Sequence, residues 1–148
     1  MSINYYMKPK VIEIIKKDIE DKILNSKINI EHDILNQVLS YIEGDDCLLH
    51  IGKSSSGWKP TFHKNNYWSS VEEIIDFYEK NKEKVSIVDE YDKELSIEEL
   101  EDNLINWNKD NKEALTPFNK EKSGFNDYWL KDYYLDKDGY VFTESNFS

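Results

Sequence analysis

Between Cys47 and Val71 the chain contains no Asp or Glu, although 30 of its 148 residues are acidic. This stretch constrains the fold more than any other. It holds two short runs of strand-forming residues, Cys47-Leu48-Leu49-His50-Ile51 and Trp58 to His63, on either side of a Gly- and Ser-rich segment from Gly52 to Gly57. Such runs around such a segment predict a β-hairpin with residues 52–57 as its loop. A lone hairpin is at best marginally stable in water, so further strands or helices must cover it.

The rest of the chain supplies them. Ile3-Asn4-Tyr5-Tyr6-Met7 reads as a short strand, and Val85 to Val88 as another. Pro9 stands where a helix can begin, and Val11, Ile12, Ile15, Ile19 and Ile23 recur at helical spacing through a charged run, predicting an amphipathic helix over 9–25. A second helix is expected over about 30–42, with Ile34, Leu35, Val38, Leu39, Tyr41 and Ile42 on its apolar side and Gly44 after its end. Ser70 with Glu73, and Ser96 with Glu99, have the spacing of capping boxes, each opening a helix. Residues 108–124 read as a polar connector, and the tail from Asp127 to Thr143 as two strands around an Asp-Gly turn at 138–139. The expected fold is α+β: a small antiparallel sheet with three to four helices, in a single domain over 1–148 with a helical insertion at about 9–42.

Charge then narrows the function. The formal net charge is −11, and all 19 basic residues are lysines. That charge repels nucleic-acid backbones, and without arginine there is no planar fork for a phosphate or carboxylate. The charge is unevenly spread. Residues 1–46 carry six Lys and nine acids, 47–71 three Lys and no acid, and 72–148 ten Lys and 21 acids. The acid-free island is the one segment suited to an anion. A single cysteine, no apolar leader and no long apolar run predict a cytoplasmic chain, with neither membrane nor direct nucleic acid among its partners.

Within the island, Gly52-Lys53-Ser54-Ser55 invites comparison with a phosphate-binding P-loop. Position 47 is Cys where that motif needs glycine, and Gly57, Trp58 and Pro60 follow where a helix should open. A turn of this composition can still offer N–H groups, hydroxyls and one ammonium to an anion, and it serves equally as a plain hairpin loop. His50 and His63 would lie near one rung of the hairpin. No Cys-x-x-Cys accompanies them, Cys47 and His50 are an odd number of residues apart, and neither a metal nor a cofactor is expected. Asp136-Lys137-Asp138-Gly139 lacks the flanking ligands of a calcium loop and reads as a β-turn. The aromatics Tyr5, Tyr6, Trp58, Phe62, Tyr67 and Trp68 gather at the first strand and the island, either as sheet core or as a surface for a planar ligand.

At His50-Ile51-Gly52-Lys53-Ser54-Ser55-Ser56-Gly57-Trp58 the chain resembles a group of small phage and prophage accessory proteins. Asn4-Tyr5-Tyr6, Phe62-His63, Ile87-Val88-Asp89-Glu90-Tyr91, Ser96, Gly139-Tyr140-Val141-Phe142 and Phe147-Ser148 follow the group's order, so the resemblance spans nearly the whole chain. Many members look as though they carry a Cys-x-x-Cys before the His-Ile-Gly motif. Here residues 9–42 take that place. The resemblance implies a phage-like origin and a shared site, with no reaction attached.

Residues and resemblance together point to a binding module that captures a small phosphate-bearing ligand, a nucleotide or nucleotide signal, and so counters host defence. The expected ligand-binding residues are His50, Lys53, Ser54, Ser55, Trp58, His63 and Tyr6. Two other readings stay open. One is an acidic inhibitor that mimics nucleic acid through helix faces such as Glu98, Glu101 and Asp102 and blocks a basic host defence protein. The other is a phosphodiesterase or other hydrolase that uses His50 and His63.

Overall fold

In the computed structural model, which describes residues 2–25 and 48–147, the sheet grows outward from the first strand. β1 (Ser2–Pro9) lies between two antiparallel neighbours, β2 (Leu49–Ser55) and β4 (Val85–Asp89). Tyr5 and Met7 enter the core; by the two-residue period of a strand, Asn4, Tyr6 and Lys8 face the other way. The full order is β5 (Glu94–Leu95), β4, β1, β2, β3 (Thr61–His63), β7 (Val141–Thr143) and β6 (Tyr133–Leu135). Every pairing is antiparallel except β3 with β7. The fold is α+β, with a sheet larger than the short strand runs alone suggest.

One face of the sheet carries the core. α2 (Val71–Asn81) and α3 (Ile97–Leu100), which runs into a π-helical turn (Glu101–Ile105), set Val71, Ile74, Leu100, Leu104 and Ile105 against Tyr5, Met7, Ile51, Phe62, Ile87 and Phe142. Both expected caps form. Ser70 Oγ accepts from Glu73 N, and at Ser96 the reciprocal bond from the Ser96 N–H to the Glu99 carboxylate is present as well. The Asp136-to-Gly139 segment is the expected turn. Asp136 accepts from Asp138 N and Tyr140 N and reaches Val71 N at the start of α2, so its carboxylate is committed to structure.

α1 (Val11–Asn25) follows β1, as its periodicity predicts. Of its apolar positions Ile12 is buried, Ile19 and Ile23 are half-buried, and Val11 and Ile15 are exposed. Lys8, buried beside the start of α1, ties that helix to the β4–β5 turn through Glu13 and Asp92. The helix expected over 30–42 and Cys47 fall outside the described residues. Among the described residues, no helix is long and apolar enough to cross a membrane.

Two expectations are corrected. Residues 52–55 are not a loop: β2 runs unbroken to Ser55, and the hairpin turns about Gly57, with Gly52 opposite Phe62. Gly52 is required by packing. A Cβ there would stand 2.6 Å from the Thr61 carbonyl oxygen and 3.2 Å from the Phe62 Cα. The second correction is at Asp127 to Leu130, which forms a short helix, α4, instead of a strand. Asn126 accepts from Trp129 N there, and this local cap outweighs the strand preference of the aromatic residues.

Candidate functional site

A β-bulge builds the site. Tyr5 pairs with Gly52 but the next residue, Tyr6, pairs with His50, so Ile51 is an extra residue in β2. Ile51 turns fully into the core. Without it, His50 and Lys53, three residues apart, would point to opposite faces of the strand. With it, both join Tyr6 on the face away from the core helices, where Ser55, Thr61 and His63 also stand by the β1–β2–β3 register.

On that face the rings form a column. Tyr6 and His50 stack at 5.0 Å, and His50 and His63 at 5.6 Å between centroids. Phe147, from the end of the chain, lies 4.6 Å from His50 and 5.9 Å from His63 and places its ring under the Lys53 ammonium at 5.8 Å, within cation–π range. His50 Nε2 is 3.0 Å from the Asn4 side-chain amide, within hydrogen-bond reach. Burial pulls the His50 pKa down to about 4, and the neighbouring charges of His63 and Lys53 push the same way, against a backbone hydrogen bond at Gly52. Burial also lowers that of His63, against a hydrogen bond to the Glu144 backbone. Both rings are therefore neutral at pH 7. His63 Nε2 is buried with no hydrogen-bond partner among the described residues, an arrangement that costs about 1–3 kcal/mol.

Beyond Phe147 the same face opens into a cleft of about 390 Å³. Lys53, Ser55, Thr61 and Ser2 form its sheet side, Ser56, Trp58 and Lys59 come from the hairpin turn, and Phe125, Tyr133, Pro117 and Phe147 close it. Among the described residues, no carboxylate lines it. Trp58 is held firmly: Asn108 Nδ2 donates to its carbonyl, Trp107 Nε1 donates to the Ser55 carbonyl, and the Lys59 ammonium bonds the carbonyls of Asn108 and Lys109. Trp58 and Phe125 meet edge-on at 6.2 Å, and Phe125 in turn contacts Tyr133 at 5.5 Å.

The seven residues singled out in the sequence thus separate into three groups. Lys53, Ser55 and Trp58 line the cleft. Tyr6, His50 and His63 form the column, which Phe147 links to the cleft. Ser54 lies opposite Ile3 on the core face, is buried, and hydrogen-bonds Tyr5, so it is remote from both. Asn4, Lys59, Thr61, Phe125, Tyr133 and Phe147 were not among the seven. Two signals pointed toward the first and last of these, the Asn-Tyr-Tyr start and the terminal Phe-Ser, both part of the resemblance.

A second concavity lies between α2 and the π-helical turn, with Glu72, Asp76, Glu101 and Asp138 around Ile75, Ile105 and Tyr140. Among the described residues, no group of three or more His, Cys, Asp or Glu side chains is arranged to hold a metal ion. No family model matches the chain, and neither the curated proteins nor the solved structures contain a match to it.

Proposed function

We propose that the protein is a binding module for a small phosphate-bearing ligand with a planar group, a nucleotide or nucleotide signal. The observation that carries this reading is the cleft itself: among the described residues it is lined by two lysines, four hydroxyl side chains from Ser and Thr, three aromatic walls besides Tyr133 and no acid, in a chain of net charge −11. Its volume falls in the range of small-molecule sites. The chemistry differs from a loop that cradles an anion with backbone N–H groups. Gly52 to Ser55 spend their backbone on the sheet, so recognition passes to side chains.

Lys53 supplies charge, with Ser55 and Thr61 as hydrogen-bonding neighbours, and Trp58 and Phe125 offer faces and edges to a planar ring. Lys59 adds charge while two carbonyls hold its ammonium in place. A phage accessory role that counters host defence by sequestering such a ligand is the biological form of this proposal, and the motif resemblance supports it. The hydrolase alternative needs His50 as well as His63 at the substrate, and His50 Nε2 is engaged by the Asn4 side chain. Isothermal titration calorimetry with a panel of nucleotides tests the binding reading. Wild type binds at least one of them and Lys53→Ala weakens that binding; no binding at all, or binding indifferent to Lys53→Ala, overturns it.

A further inference from the structure

We infer that Phe147 is a displaceable gate between the cleft and the buried histidine pair, and that its withdrawal extends the site to His63 Nε2, which then accepts a hydrogen bond from a ligand hydroxyl. This rests on the binding reading above for its ligand, but not for the gate itself.

Three observations converge. Phe147 belongs to both places: its ring lines the cleft and covers His50 and His63. It is also held loosely for so central a residue. Among the described residues, the hydrogen bonds that fasten the tail are those of Glu144 and Ser145, to Asp132, Thr143, Lys64 and His63, and none is made by Asn146 or Phe147. Finally, the His63 ring that Phe147 touches carries an atom with unmet hydrogen-bonding capacity. With Nδ1 as donor to the Glu144 backbone, Nε2 is a lone pair that has no partner among the described residues. Buried unsatisfied groups in native proteins call for such an explanation.

Lys53 couples the gate to the ligand. Its ammonium sits over the Phe147 ring, so an anion that draws Lys53 toward itself weakens the contact that holds the ring down. A ligand with both an anionic group and a hydroxyl, as in a ribose phosphate, satisfies Lys53 and His63 together. A conformational equilibrium of this kind lowers apparent affinity by the fraction of closed molecules, and removing the gate restores it. A ring that served only as a stacking wall would have the opposite effect when removed.

The test has two arms on full-length protein, with Phe147→Tyr as the control that keeps the ring and circular dichroism confirming the fold of each variant. The first arm uses no ligand: diethyl pyrocarbonate reacts with accessible neutral imidazole, and mass spectrometry reads its rate at His63. Phe147→Ala is expected to react about tenfold faster than wild type, and Phe147→Tyr at the wild-type rate. Equal rates in wild type and Phe147→Ala overturn the gate. The second arm titrates adenosine 5′-monophosphate. Phe147→Ala is expected to bind about threefold or more tighter than wild type, with the gain lost in Phe147→Ala/His63→Phe. Weaker binding by Phe147→Ala assigns the ring to the wall and overturns the gate. If neither protein binds the nucleotide, the ligand half of this inference falls with the binding reading, while the labelling rates still decide the gate.

Discussion

Replacing His50 by Gln should flatten the acid limb of the protein's stability. His50 is half-buried among Tyr6, His63 and Phe147, and its pKa is drawn from 6.5 down to about 4. In the unfolded chain the imidazole takes up a proton below pH 6.5, whereas the folded protein resists doing so until about pH 4. The neutral ring's contribution is therefore complete above pH 6.5 and is lost as pH falls from there to about 4. At about 1.4 kcal/mol per pH unit, that interval corresponds to roughly 3 kcal/mol, an upper figure for a group that keeps some solvent contact. Gln can still hydrogen-bond the Asn4 side chain but does not titrate. Urea unfolding followed by tryptophan fluorescence, at pH 7.5, 6.5, 5.5 and 4.5, gives ΔG for both proteins. The carboxylates are common to the pair, so the difference between the curves reports His50 together with its coupling to His63. Wild type should lose about 2–3 kcal/mol more than His50→Gln between pH 7.5 and 4.5. Parallel curves would refute the argument that the column is dry and its histidines neutral.

Two further substitutions test the strand that replaced the expected loop. Gly52→Ala sets a methyl against the Thr61 carbonyl at 2.6 Å, so thermal or urea unfolding should show a loss of about 1–3 kcal/mol, whereas a solvated loop glycine would tolerate the change. Ser54 and Ser55 are adjacent but face opposite sides of the sheet. Ser55→Ala should weaken nucleotide binding in calorimetry while Ser54→Ala leaves it unchanged, an asymmetry that a loop presenting both hydroxyls would not produce.

What could be read from the sequence was local. Ser70 and Ser96 announce their helices because a cap and its partner lie three residues apart, and β1 and β4 follow from short runs of strand-forming residues. The misreadings arose where distant contacts decide. Gly52 to Ser55 have the composition of a turn, yet pairing with β1 on one side and β3 on the other holds them extended. The bulge at Ile51 leaves no pattern in the sequence and changes which face His50 occupies, so simple alternation could not place His50 beside Lys53. Likewise, the parallel pairing of β3 with β7 brings together residues some eighty positions apart, and the tail beyond β7 carries Phe147 to the histidines. The acid-free island survives as the heart of the candidate site. Its walls are completed by Phe125, Tyr133 and Phe147, none of which lies within it.

The proposal turns on a cleft that, among the described residues, no acid lines, and on its holding a small anion with a planar group. Calorimetric titration of wild type and Lys53→Ala with the nucleotide panel, at low and at physiological salt, tests it most directly. Stoichiometric binding should weaken with added salt and fall about tenfold or more in Lys53→Ala, the loss of one charge-assisted contact. A wild-type protein that binds no member of the panel, or one whose affinity is the same with and without the Lys53 ammonium, would contradict it.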